Sequence, residues 1–354
     1  MTRSVVIIVP SMSPTGPVKG AIALANALSA WRQVTLVSLK PGSGPSAPLA
    51  KNVEQLDFSK VRGFLEKRRA LKTLLSERQA AGGVSLISFC LSADFYALMS
   101  AKHVRVVSSV RGNLPVNYRM DYGPLGAILG MGHLLALRKA DAVVAMTDAM
   151  ARQVARFTGR APTIIPNFVD EGPLEPYRSP PSDEPTVVFL GSLTSRKQPL
   201  ALIDAFAAWR KRSGHGHLHL VGEGPLRPEI EMRVKKLELE TSVSVHGYMA
   251  EPYKLLARAY LMAVPSLSEG MSRAVLEALY LGVPCLLRDV DGNKEIITPG
   301  SNGILFERNE ELTSALSAGL QLRSKSGASL LPEFVRQETC ARQYLALAEG
   351  SRSS

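Results

Sequence analysis

The sequence predicts an α/β fold made of two doubly wound, Rossmann-like domains, and three observations lead there. A length of 354 residues suits about two domains of ordinary size. Short β-branched runs alternate with amphipathic helical text, the pattern of parallel strands joined by crossover helices and covered on both faces. One proline-rich break, "DEGPLEPYRSPPSDEP" at 170–185, divides two such series and excludes regular helix or central strand. The expected layout is a first domain over 1–169, a linker over 170–185 and a second domain over 186–330. A closing helix over 331–354 is expected to cross back to the first domain.

In the first series "SVVIIVP" reads as a buried strand, because its apolar run is too short for a signal-peptide core and ends at Pro10. A loop carrying Gly16 follows, then the helix "VKGAIALANALSA" and the strand "QVTLVSL". A basic helix is expected from Lys60 to Gln79. Its apolar side carries Val61, Phe64, Leu65, Leu71, Leu74 and Leu75 beside Lys60, Arg62, Lys67, Arg68, Arg69 and Lys72. Either it covers the sheet with a basic outer face, or it rests on anionic lipid. The strands "VSLISF", "HVRVVSS" and "DAVVAM" follow, with helices between them. The most apolar long segment, Pro124 to Leu137, falls short of the roughly 20 residues that span a bilayer. A core helix is expected there, with a shallow interfacial helix as the alternative.

The second series runs "TVVFLG", a helix from Gln198 to Arg212, "LHLVG", a helix near Glu229 to Leu239, and "VSVHG". It continues with "LMAVPS", an amphipathic helix after Ser272, "PCLLRD" and "GILF", and ends in helical text from Pro332 to Glu349.

The net charge of +11 is unevenly spread: residues 1–170 hold 21 Lys+Arg against 9 Asp+Glu, a net +12, and the remainder is near neutral. A polyanion, an anionic membrane surface or a phosphorylated substrate would be drawn to that first half. Aromatic residues are sparse near these charges, which argues against nucleic acid. Cys90, Cys285 and Cys340 are far apart and lack metal-ligand spacing, as expected of reduced thiols in a cytoplasmic protein.

Two facing doubly wound domains bring the carboxyl ends of both sheets to one cleft, where ligands of such sheets bind. Three loops of the second series follow strands and share glycine: "GSLTSRK" (Gly191 to Lys197), "GEGPLR" (Gly222 to Arg227) and "SEGMSR" (Ser268 to Arg273). Glycine lets backbone approach a ligand, and free N–H groups at a helix start favour an anion such as a diphosphate. Arg196 and Lys197 add cations, while Glu269 and Glu277 add carboxylates. Singly, each has a plain alternative: an ordinary turn, a solvated lysine, a helix-capping glutamate. In combination they specify a pyrophosphate pocket with carboxylates beside it. Two decoys carry little. "DVD" at Asp289 to Asp291 is out of context for a metal site, and His215, His217 and His219 have no carboxylate or cysteine nearby in the text, as at a solvated strand end.

The succession "VVFLGSLTSRK", "LHLVGEGP", "VSVHGY", "AVPSLSEGMSRAVLEALYLGVPCLLRDVDGNKEII" and "NGILF" resembles the nucleotide-binding half of retaining glycosyltransferases of the GT-B fold, family four. The E-x7-E motif of that family is present as Glu269 and Glu277, and "IIPNFVD" is similar to its Pro-Asn-x-x-Asp segment. The resemblance implies that Glu269 approaches the donor hexose and Glu277 holds the ribose. Gly270, Met271 and Ser272 would offer backbone N–H groups, and Lys197 would steady the leaving diphosphate. Gly247 and Tyr248 would lie near the base, with Gly16, Ser192 and Arg196 also donor-binding. Two departures stand out. Ser192 occupies the place where the family commonly has Arg, for which Arg196 is a substitute, and Arg111-Gly112 stands where many members have His-Gly. Arginine is no base near neutral pH, so Arg111 is assigned to anchoring a donor or acceptor oxygen.

The implied activity is transfer of a hexose or N-acetylhexosamine, with retention, from a UDP- or GDP-sugar to a lipid-linked glycan acceptor in bacterial surface polysaccharide assembly. No cofactor and no catalytic metal are expected, and the location is cytoplasmic, peripheral on the inner face of the plasma membrane. A sugar-nucleotide epimerase of the same architecture and a catalytically silent lipid-binding scaffold are the competing readings.

Overall fold

Strands buried on both faces and linked by helices dominate the computed structural model, which describes residues 3–13, 15–42, 48–290, 292–324 and 326–350, the side chains of 117 and 120–122 excepted. The chain forms two units, Met1–Val169 with Glu333–Ser354, and Asp170–Pro332.

In the first unit the order is β1 (Ser4–Ser11), α1 (Gly16–Leu28), β2 (Val34–Lys40), β3 (Val53–Asp57), α2 (Phe64–Ala80), β4 (Val84–Phe89) and α3 (Cys90–Ser100). It continues with β5 (Arg105–Ser109), α4 (Leu114–Tyr122), α5 (Pro124–Ala136), β6 (Ala142–Ala145), α6 (Asp148–Thr158) and β7 (Thr163–Ile164). The second unit holds β8 (Thr186–Leu190), α7 (Pro199–Ser213), β9 (His217–Val221), α8 (Arg227–Lys236), β10 (Val243–Gly247), α9 (Tyr253–Ala257) and β11 (Leu261–Val264). It ends with α10 (Arg273–Tyr280), β12 (Cys285–Arg288), α11 (Asn293–Ile296), β13 (Gly303–Phe306) and α12 (Leu312–Leu320), and α13 (Gln337–Glu349) rejoins the first unit.

Both sheets are parallel, ordered β3-β2-β1-β4-β5-β6-β7 and β10-β9-β8-β11-β12-β13. Strand order therefore reverses between β1 and β4 in one unit and between β8 and β11 in the other. Such reversals leave a crevice at the carboxyl ends of the strands, because the flanking crossovers depart to opposite faces.

Each unit has its own apolar core. Ile7, Val9, Ile22, Leu24, Leu36 and Phe89 are central to the first, and Phe189, Ile203, Phe206, Leu220 and Leu286 to the second. The closing helix is fastened to the first unit by polar contacts as well: the Ser109 and Tyr344 hydroxyls lie 2.7 Å apart, and Ser85 Oγ donates to the Ala348 carbonyl at 2.7 Å. A buried polar knot ties four elements of that unit. Ser88 Oγ and Ser108 Oγ donate to Asp94 Oδ1 at 2.5 and 2.7 Å, and His133 Nε2 lies 2.8 Å from Asp94 Oδ2.

Several expectations are corrected. The edge strand β3 has no counterpart in the sequence reading, since "VEQLD" is polar and buries little beyond Val53. Gly16 is not in a loop: it is the first residue of α1, exposed, with open space around it. The basic helix starts at Phe64, residues Phe58–Lys60 forming a separate 3-10 turn. Its Leu71, Leu74 and Leu75 are buried, as a sheet-covering helix requires, and Leu65 remains exposed. The segment at α5 is only half core. Gly126, Gly130, His133 and Leu134 face inward, while Leu125, Ile128, Leu129 and Leu135 are exposed. The proline-rich linker is held to the second unit: Leu174 is buried, the Tyr280 hydroxyl donates to Glu175 Oε2 at 2.5 Å and Arg323 Nη2 donates to the Ser179 carbonyl at 3.1 Å. Among the described residues no helix is long and apolar enough to cross a membrane.

Candidate functional site

The reversal between β8 and β11 brings Arg196 and Lys197, from the loop leaving β8, up to Glu269, from the loop leaving β11. The loop leaving β8 turns through a short 3-10 segment, Ser195–Lys197, that points Lys197 inward. The loop leaving β11 carries Ser266 to Ser272 into α10. Leu267 N–H donates to the Arg196 carbonyl at 2.8 Å, locking the two loops together.

Across that junction Lys197 Nζ makes a direct ion pair with Glu269 Oε1, and Arg196 Nη1 lies 3.7 Å from the same oxygen. Both members of the pair are buried, Lys197 at 8% and Glu269 at 9% exposure, so neither charge is well solvated and each is held by the other. Arg196 Nη1 also donates to the Ser268 carbonyl at 2.6 Å. The arginine expected to replace the one missing at Ser192 is thus engaged with the second loop, and Ser192 itself is exposed.

Gly270, Met271 and Ser272 form the approach to α10, with Ser272 its N-cap in extended conformation and no side-chain capping bond. Met271 is buried and helps seat the loop. Glu277 lies inside α10, buried, 4.0 Å from Arg273 Nη2 one turn earlier. Its charge is also felt at Tyr253, whose phenol is pushed well above its ordinary range by burial first and by Glu277 second. Gly247 closes β10 with φ +73°, a left-handed conformation that favours glycine. Its carbonyl accepts from Gly222 N–H at 2.7 Å, and the neighbouring Tyr248 is exposed.

Two groups of this site escaped the sequence reading. Thr194 Oγ1 and Ser266 Oγ, one from each loop, are buried without a hydrogen-bond partner among the described residues. Both sit in stretches already singled out, yet nothing in the text distinguishes an orphaned hydroxyl from a capping one. An orphaned buried hydroxyl is a donor awaiting a ligand oxygen or a water.

Arg111 belongs to the first unit, just beyond β5. Its guanidinium lies over the Phe89 ring, 4.6 Å from the centroid, and Nη1 donates to Asn167 Oδ1 and Met146 Sδ, each at 3.2 Å. Cys90 opens α3 with φ +72°, an uncommon conformation for a residue with a side chain. Its thiol is pushed up to about 12 by burial, then by Asp94, with Arg111 pulling the other way, so it is a neutral thiol.

The decoy sites differ in outcome. The sequence shows no carboxylate beside the histidines, yet Glu184 Oε2 stands 3.1 Å from His217 Nε2, because the chain entering β8 runs alongside β9. His219 Nδ1 faces His246 Nε2 at 2.9 Å, and His215 points away to the Ser213 carbonyl. Asp289 is exposed and Asp291 lies outside the described residues. Among the described residues no group of three or more His, Cys, Asp or Glu could hold a metal ion.

Comparison with known proteins agrees with this architecture. Residues 14–172 match the family described as Glycosyltransferase Family 4, and residues 184–321 match Glycosyl transferases group 1. A Xenopus tropicalis protein named "Glycosyltransferase 1 domain-containing protein 1" is 33% identical over 128 residues, 35% of this chain and 36% of that protein. The Campylobacter jejuni protein named "GalNAc-alpha-(1->4)-GalNAc-alpha-(1->3)-diNAcBac-PP-undecaprenol alpha-1,4-N-acetyl-D-galactosaminyltransferase" is 22% identical over 332 residues, 90% of this chain and 89% of that one. The crystal structure of Anabaena HepE in complex with UDP and glucose superposes with a TM-score of 0.73 at 18% identity, over 99% of this chain and 100% of that chain. The chain spans between 36% and 56% of the length of the first curated relatives it matches. With one glycosyltransferase family matched in each half and the fold shared end to end, the chain belongs to the GT-B-type glycosyltransferases.

Proposed function

We propose that this protein is an enzyme that transfers a hexose or N-acetylhexosamine from a UDP-sugar to a lipid-linked glycan acceptor, with retention of anomeric configuration, in bacterial surface polysaccharide assembly. The observation that carries the proposal is the buried Lys197–Glu269 pair at the strand-order reversal, with Arg196 beside it and two hydroxyls without partners among the described residues. Breaking the anomeric C–O bond builds negative charge on the diphosphate, and fixed cations with hydroxyl and backbone donors in a poorly solvated place stabilise that charge most effectively. Lys197 takes the leaving diphosphate, the hydroxyls of Thr194 and Ser266 supply donors to its oxygens, and Glu269 holds Lys197 while facing the hexose. Glu277, inside α10, receives the ribose hydroxyls, and Gly247 with Tyr248 borders the base.

The leaving phosphate oxygen takes the acceptor hydroxyl's proton as that oxygen attacks from the same face, so the reaction needs no nucleophile from the chain. Retention rests on the family resemblance of the sequence. The lipid-linked acceptor is supported by the name of the Campylobacter jejuni relative, and UDP by the Anabaena complex.

The test is product analysis with purified protein and a panel of UDP- and GDP-sugars, with and without an undecaprenyl-diphosphate saccharide. Glycosylated acceptor with UDP released in equal amount, its new linkage of the donor's anomeric form, is the expected result. An interconverted donor formed without acceptor would instead identify an epimerase, and failure to bind any nucleotide sugar would leave only a scaffold.

A further inference from the structure

The first unit holds an unmet cation at its own strand-order reversal. Arg111 leaves β5 and reaches back across the end of β4, over Phe89, toward α1. The approach is so close that a Cβ on Gly20 would stand 2.9 Å from Arg111 Nη2, which makes glycine at that point of α1 a condition for the arginine's placement. Nη1 is occupied by Asn167 and Met146. Nε and Nη2 are buried and have no hydrogen-bond partner among the described residues. These two nitrogens form one edge of the guanidinium, the parallel fork that grips both oxygens of a carboxylate or two oxygens of a phosphate.

The fork's surroundings are neutral. Asn167, Met146 and Phe89 carry no charge, the Cys90 thiol stays protonated with its ordinary range pushed up to about 12, and burial likewise holds the Tyr344 phenol in its neutral form. No carboxylate pairs with Arg111 among the described residues. Asp94, whose charge is felt at the Cys90 thiol, is committed to Ser88, Ser108 and His133. An enclosed guanidinium edge without an acceptor is disfavoured unless something supplies two oxygens.

We propose that Arg111, with Asn167 and Gly20, forms an oxyanion-recognition site at the β1–β4 reversal that selects a saccharide bearing a carboxylate or a phosphate. The inference rests on the glycosyl-transfer reading and narrows its saccharide ligand from neutral sugars to acidic ones. Nη1 stays with Asn167, which orients the fork, and Nε–H and Nη2–H donate in parallel to the entering group. Because the fork is closed to solvent in the free chain, entry of the anion shifts the Arg111 side chain or the Gly20 turn.

Titration calorimetry with two matched pairs tests this: glucuronate against glucose, and glucose 6-phosphate against glucose. In the wild-type chain one acidic member is expected to bind at least ~10-fold more tightly than glucose, as a charge-assisted bidentate contact implies. The pair that shows it identifies the source, carboxylate or phosphate. Arg111→Met is expected to abolish the preference, so that the acidic and the neutral member of the pair bind alike. Gly20→Ala, which crowds Nη2, is expected to reduce it. Should Arg111→Met not fold, Arg111→Lys takes its place, since it keeps the charge and loses the fork. Equal binding of acidic and neutral sugars by the wild type, or a preference that survives loss of the guanidinium, overturns the proposal. UDP titrated into the wild-type chain separates the two readings: absent UDP binding sinks the glycosyl-transfer function, whereas UDP binding without acid preference sinks this inference alone.

Discussion

At the scale of single residues, Glu269 is asymmetrically placed, because it faces two cations while Lys197 faces one carboxylate. Glu269→Gln leaves Lys197 and Arg196 together without an anion, at a cost of about 3–5 kcal/mol for a broken buried pair. Lys197→Met leaves Glu269 still beside Arg196 and is expected to cost less. Urea denaturation of the two variants checks the order, and turnover is expected to fall ~100-fold or more in both, as for removal of a charge-stabilising group. His219 supplies a pH dependence. Burial, then His246 and His217, holds its imidazole down to about 4, below the ordinary 6.5. The unfolded chain therefore takes up the proton more readily than the folded one. The stabilising effect of a neutral His219 is complete above pH 6.5 and disappears as pH falls toward 4. Thermal melts across that window are expected to decline more steeply for wild type than for His219→Asn.

Among elements, the buried knot around Asp94 joins β4, β5, α3 and α5. Asp94→Ala would strand two serine hydroxyls and one imidazole in the interior, and a loss of about 3–5 kcal/mol is expected in denaturant unfolding. Asp94→Asn, which keeps an acceptor, is expected to lose less. The same knot explains why α5 resisted a reading from its text. Its sequence is apolar nearly all round, so periodicity offers no preferred face, and His133 decides the matter by turning toward Asp94. Leu125 and Ile128 are left 75% and 61% exposed as a result. Similarly β3 was invisible because an edge strand with one covered face needs few apolar residues.

For the whole molecule, charge is divided along the chain: residues 1–170 carry the net +12, and the exposed apolar residues of α2 and α5 lie within that same stretch. Contact with an anionic membrane surface, where cations attract and apolar side chains insert, would draw on both features. Of the basic residues on α2, Lys67 is tied to the Leu39 carbonyl and Arg69 to Glu66, so apolar replacements are the sharper test. Leu125→Ser with Ile128→Ser is expected to reduce co-sedimentation with phosphatidylglycerol vesicles several-fold at unchanged melting temperature. Unaltered co-sedimentation would remove α5 from any lipid-facing role.

What the sequence determined by itself is local and periodic: the strand runs, the crossover helices, the break near 170, the uneven charge, and the two glutamates of the E-x7-E spacing, fixed on one loop and helix. What only the tertiary structure decided is which distant groups meet. Lys197 and Glu269 are 72 residues apart and become partners because β8 and β11 are neighbours where the strand order turns back. Arg111, just beyond β5, meets Asn167 and Gly20, which follow β7 and β1, each two strands away in the other sheet. The reason is physical: spacing along a chain sets the direction of a side chain within its own element, whereas the order in which strands pair sets what stands opposite it.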